Sequence, residues 1–215
     1  MTPEDAVRGR LLDASLRCVA ARGVRGTTLA DVAAEAPCAR ATLYRCFPGG
    51  RAGLFQALGE RELGRFVDAV CEPLAGALDT EDALTTVLCG AARALQEHTA
   101  FQYVFRNEPD VLLPYLGFKQ VDRLYRAVSV LAGPHLAPFV GQDQAGWAAE
   151  WLARTVTSYV FFASGDVDLT DADQARTLVR RFLLPALDPA AAGADEGRDR
   201  PSHRRASMQP TLQGS

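Results

Sequence analysis

Within six residues the sequence places Arg40, Thr42, Tyr44 and Arg45, separated only by Ala41 and Leu43. Guanidinium and hydroxyl groups at this density donate hydrogen bonds and carry positive charge. That is chemistry for holding a polar, anionic partner rather than for breaking bonds. The sets that catalysis draws on are absent. The chain has no G-x-S-x-G, no phosphate-binding glycine loop and no pair of histidines at helical spacing. His98, His135 and His203 are scattered, and His98 is expected at a helix end, in contact with the helix dipole. No catalytic residue, metal site or cofactor is expected.

The elements that position these groups can be read from spacing. Thr28 followed by Asp31 is a helix-start signal, and Leu29, Val32, Ala33 and Ala36 then recur on one face. Pro37 breaks that helix, because proline cannot donate and disfavours a helical residue before it. A second short helix from about Ala39 to Phe47 turns Leu43 and Phe47 inward and leaves Arg40, Thr42, Tyr44 and Arg45 outside. Two short helices with a tight turn, the second presenting basic and hydroxyl groups, form the helix-turn-helix layout.

The run Thr27-Thr28-Leu29-Ala30-Asp31-Val32-Ala33, with Thr42-Leu43-Tyr44-Arg45 and Phe47, resembles the N-terminal domain of TetR-type bacterial transcriptional regulators. The sequence departs from that pattern at Pro37 in place of a turn glycine, Ala39 in place of a capping Ser or Thr, Cys46 in place of a His, and a longer Pro48–Arg51 loop. The resemblance implies double-stranded DNA as partner, with the second helix in the major groove. Arg40 and Arg45 are then assigned to base edges, since arginine pairs bidentately with guanine; phosphate contact is the alternative. Ala41 would sit against a thymine methyl. Thr42, Tyr44 and Arg51 would hold phosphates, with Thr28 reaching one from the preceding helix. For Tyr44, packing of its ring on the first helix is compatible with that role.

The whole chain of 215 residues carries 23 basic and 26 acidic side chains, a net charge of −3. Residues 1–55 nevertheless hold eight Arg against five acids, and phosphate binding needs a local basic surface, not a basic protein. No apolar run reaches the ~18–20 residues of a membrane span. The absence of a signal-peptide pattern, with five cysteines (Cys18, Cys38, Cys46, Cys71, Cys89) and no C-x-x-C pair, points to a reducing cytoplasm and no membrane partner.

Helical periodicity runs through the rest. A first helix spans roughly Pro3 to Ala21, and a fourth runs from Gly50 to a break at Pro73. Others cover about Thr80–His98 and Gly117–Leu131, the latter ending in an interruption from Pro134 to Pro138. Two more follow, about Asp143–Ala163 and Thr170–Leu187, the last carrying Val179, Phe182 and Leu183. With no strand alternation, the fold is expected to be all-α. The expected organisation is a helix-turn-helix DNA-binding domain over residues 1–49, a larger helical effector-binding and dimerisation domain over 50–187, and a disordered tail over 188–215.

The resemblance implies two uses of the larger domain. One is a cavity for a small apolar effector, with Phe66, Val70, Leu88, Phe105, Leu113, Phe118, Leu124, Trp151, Tyr159 and Phe162 as candidates to line it and Gln102, Arg106 or Thr155 to orient the ligand. The other is a homodimer face made by the last two helices. The reading is thus a regulator, most plainly a repressor released from a palindromic operator. Two others stand beside it: control by thiol oxidation or a protein partner, and a helical lipid carrier or enzyme.

Overall fold

The computed structural model describes residues 2–116, 120–161 and 167–187, side chains at 113–116 and 120 excepted. The proposed tail, the turn at Gly165-Asp166 and the positions of Phe118 and Phe162 lie outside the described residues. Every regular element described is helical, as the periodicity requires: α1 (Pro3–Arg22), α2 (Leu29–Glu35), α3 (Arg40–Cys46), α4 (Gly50–Cys71), α5 (Thr80–Glu97), α6 (Thr99–Asn107), α7 (Pro109–Leu116), α8 (Gln120–Val140), α9 (Gln142–Phe161), α10 (Ala172–Leu178) and α11 (Leu184–Leu187). A 3-10 turn, Glu72–Gly76, follows α4 where Pro73 ends it.

The helix starts obey local chemistry. Thr2 with Asp5 and Thr28 with Asp31 form reciprocal capping boxes on α1 and α2. Asp79 and Asp171 cap α5 and α10. Ala39 leaves α3 without a side-chain cap. The turn between α2 and α3 closes without a left-handed residue: Ala36 sits at φ −94°, and the Cys38 amide donates to Ala33 O at 3.1 Å. Pro37 is therefore accommodated where a glycine is more usual.

Two apolar clusters form. The first joins Leu11, Leu12 and Cys18 of α1, Val32 of α2, Leu43 of α3 and Phe47 to Leu54 and Leu58 of α4 and to Ala100 and Val104 of α6. The second gathers Val67 and Val70 of α4 with α5, α8, α9 and α10. α4 contributes its first half to one and its second half to the other, so a single rigid element runs through both.

Two expectations are corrected here. α8 is not interrupted at Pro134–Pro138; it continues to Val140 with both prolines inside it. Each proline removes a helical hydrogen bond, at a cost of about 3 kcal/mol. Ala132 and Leu136 are buried beside Ala145, Ala148, Ala149 and Leu152 of α9, and this packing offsets that cost. Val130, whose carbonyl loses its partner to Pro134, is 70% exposed. In the last helix a π turn, Val179–Leu183, shifts the register, so Val179 and Leu183 are buried while Phe182 points out, 53% exposed.

Candidate nucleic-acid interface and effector cavity

α3 is held from behind. Leu43 and Phe47 are almost fully buried, and Arg8 from α1 donates to Cys46 O at 2.7 Å while lying over the Phe47 ring at 4.6 Å. Fixing the helix by its apolar side leaves Arg40, Ala41, Tyr44 and Arg45 exposed and Thr42 half-buried. Neither Arg40 nor Arg45 makes an ion pair among the described residues. Tyr44 is 54% exposed, with its ring 3.9 Å from where a side chain at Gly50 would begin. Cys46, by contrast, is buried.

Thr28 and Arg51 border this surface but are already occupied. The Thr28 hydroxyl donates to Asp31 Oδ2 at 2.6 Å and accepts from the Asp31 amide, so it is exposed but structural. Arg51 donates from Nε to Thr27 O at 3.2 Å and from Nη2 to Val24 O at 2.6 Å, and lies over the Phe55 ring at 4.8 Å. Among the described residues its Nη1 has no hydrogen-bond acceptor.

A cavity of about 460 Å³ lies between α1, α4, α5, α6, α7, α8 and α9. This falls within the ~300–1,000 Å³ of small-molecule sites. Phe66, Val70 and Leu124 line it, joined by Phe55, Phe101, Phe161 and many aliphatic side chains. Leu88, Trp151 and Tyr159 do not; they belong to the second core cluster. Phe105 stacks on Phe101 at 5.8 Å and meets Phe161 edge-on at 5.2 Å, so it backs the wall without forming it. The Leu113 side chain, like Phe118 and Phe162, lies outside what is described.

The polar candidates are corrected too. Gln102 donates to Leu95 O, Thr155 donates to Trp151 O, and Arg106 faces a different groove. The ionisable or hydroxyl side chains on the lining are Glu62, His98 and Thr157, with Cys71 beside them. Burial and the nearby Asp68 push the Cys71 thiol up to about 11, so it stays a neutral S–H at ordinary pH.

Residues 11–58 match the family model of bacterial regulatory proteins, tetR family. That segment begins in α1, spans the α2–α3 pair and ends in α4. An uncharacterized HTH-type transcriptional regulator of Mycobacterium tuberculosis is 27% identical over 187 residues, covering 86% of this chain and 87% of its own. The TetR family repressor AlkX from Dietzia sp. strain DQ12-45-1b, implicated in biodegradation of n-alkanes, shares the fold with a TM-score of 0.61 at 23% identity, covering 86% of this chain and 95% of that one. The fatty acid degradation regulator FadR from Bacillus halodurans has a TM-score of 0.59 at 18% identity, over 86% and 98% of the two chains. Residues 11–58 thus carry the DNA-binding domain of the TetR family, and over most of its length the chain is similar to transcriptional regulators of that kind.

In this chain the cavity reaches the DNA-binding head directly. Leu16, Val19 and Val24 on its lining belong to α1 and the turn after it. That turn is also gripped from α6–α7. Glu108, a buried carboxylate between the two helices, accepts the Val24 amide at 2.7 Å and the Arg25 amide at 3.1 Å. Arg25 pairs with Asp110, two residues on from Glu108. Gly23 has φ +77°, and a Cβ there would stand 2.4 Å from Glu108 Oε1, so the position demands glycine twice over. Sequence periodicity flagged none of this. Asn107-Glu108-Pro109 reads locally as a plain turn, and a carboxylate's distant amide partners leave no mark on spacing. Among the described residues no group of three His, Cys, Asp or Glu is arranged to hold a metal, and no helix is long and apolar enough to cross a membrane.

Proposed function

We propose that this protein is a homodimeric repressor, not an enzyme, that leaves a palindromic operator when a small apolar effector enters the cavity. The observation that carries the reading is the pair of exposed guanidiniums, Arg40 and Arg45, without an ion pair among the described residues, on a helix anchored by Leu43 and Phe47. In the major groove these two read base edges, Ala41 meets a thymine methyl, and Thr42 and Tyr44 hold phosphates. Arg51 reaches a phosphate with its remaining N–H groups while keeping the α1–α2 turn in place. Thr28 contributes through the helix start it caps.

Residues 1–49 act as the reading head and 50–187 as the effector and dimer body. The dimer forms through α9 and α10–α11, which carry the exposed Trp147 and Phe182. Two heads on successive major grooves lie about 34–36 Å apart. The effector acts by differential affinity: it binds better to the dimer whose heads are misplaced. Its route to the heads is short, because Val19 and Val24 touch the cavity and Glu108 holds the same turn.

The test is a footprint on the DNA flanking the regulator's own gene, with the purified protein sized by light scattering. The reading expects a protected inverted repeat, a dimer, and dissociation to monomer in Trp147→Arg/Phe182→Arg. A monomeric wild-type protein, or no preferred site, overturns it.

A further inference from the structure

The cavity's polar end names the class of head group it takes, an inference that rests on the effector reading above. Glu62 and His98 meet there. His98 caps α6, its Nδ1 accepting the Phe101 amide at 3.1 Å. With Nδ1 occupied as an acceptor, the imidazole proton sits on Nε2. That N–H points toward Glu62 Oε2 but stops 3.7 Å away, beyond hydrogen-bond reach. Glu62 spends its other oxygen within α4: Oε1 lies 2.9 Å from Arg61 Nη2 and 3.4 Å from Arg65 Nη1, and both arginines also pair with Asp13 of α1. So among the described residues Oε2 has no donor and Nε2 has no acceptor, and both side chains line the cavity.

We infer that an apolar effector carrying one uncharged hydroxyl fills this gap, its oxygen accepting from His98 Nε2–H and its proton donated to Glu62 Oε2. An oxygen about 2.8 Å from each atom spans a 3.7 Å separation. The charges select against the ionised alternatives. Two acids and two arginines balance around Glu62, so a cationic head gains no unpaired anion and meets Arg61 and Arg65 behind it. An anionic head meets the Glu62 carboxylate, and no Lys or Arg is present on the lining to receive it. Thr157 adds no competing donor if its hydroxyl, like that of Thr155, bonds within its own helix, and it does: it donates to Ala153 O at 2.7 Å.

The experiment titrates the full-length protein with 1-dodecanol, dodecanoate and dodecylammonium below their micelle concentrations, reading heat and Trp fluorescence. Dodecanol is expected to bind at least about tenfold more tightly than either ion. Glu62→Gln and His98→Asn, the second keeping an N-cap acceptor, should each shrink that preference severalfold. Equal binding of all three, or preference for either ion, overturns the head-group inference while leaving the effector cavity standing. No binding of any chain, with operator binding intact, overturns the apolar-effector reading itself.

Discussion

The outward face of α3 and the interior cavity are built by opposite rules. On α3 the side chains that matter are the ones excluded from packing, and the two buried there only hold them in place. In the cavity the side chains that matter are those packed imperfectly, leaving about 460 Å³ unfilled. Five residues of one short helix compose the first; seven helices compose the second. A surface that reads DNA can therefore be set by one local pattern, whereas a space that takes a ligand exists only through the agreement of distant elements.

The strongest way to break this contrast is to remove the anchor of the outward face. Leu43→Ala deletes a side chain buried to 1%, a change that costs about 2–5 kcal/mol in comparable cores. Calorimetry should show the melting temperature fall and operator binding should be lost, although no DNA-contacting group has been touched. A melting temperature like that of wild type would show that α3 is not held from behind.

Next in size is the link between the two regions. Glu108→Ala leaves the half-buried Val24 amide and the Arg25 amide without their acceptor, a loss of about 1 kcal/mol for each such bond. Hydrogen exchange at those two amides should accelerate well beyond that of the α1 amides, and the effector's hold on DNA release should weaken. Unchanged protection there would separate the cavity from the head.

Single-side-chain changes on α3 sharpen the comparison further. Arg40→Ala and Arg45→Ala should each cost about 1–3 kcal/mol of discrimination between operator and scrambled DNA. Arg51→Ala should instead weaken both DNAs alike and lower the salt slope by about one. Anisotropy titrations at two salt concentrations distinguish these patterns, and uniform weakening in all three variants would remove the assignment of base reading.

The smallest effect is acidic. Side-chain and backbone hydrogen bonds from Thr28 hold the Asp31 carboxyl below the usual carboxylate range. A carboxyl whose pKa falls on folding stabilises the native state fully above its unfolded value, about 3.9, and that contribution is lost as pH drops through the folded value. Wild type should therefore lose stability faster than Asp31→Asn below about pH 4, a divergence that acid melts followed by circular dichroism would register.

Much of the head was legible because its signals are local. Thr28–Asp31 caps α2 and Leu43 with Phe47 turns inward, since a capping oxygen and a 3.6-residue period act over a few residues. The cavity was legible only in part. Phe66 and Val70 line it, yet Leu88 and Trp151, equally apolar, fill the core instead. Periodicity gives the inward side of a helix but not whether the facing helix fills the space. The two prolines of α8 mark the same limit from the other side: a strong local stop was overridden by packing along α9.

By itself, then, the sequence determined that the chain is helical, where a basic short helix lies and which of its residues face outward, because hydrogen-bond caps and helical periodicity are properties of neighbours. Only the tertiary structure decided that Glu108 grips the turn after α1, that Arg51 is tied to two carbonyls, and that Glu62 and His98 stand apart across an apolar space. Those relations join residues from 24 to 84 positions apart, and such contacts are fixed by how helices cross, not by what stands next to what along the chain.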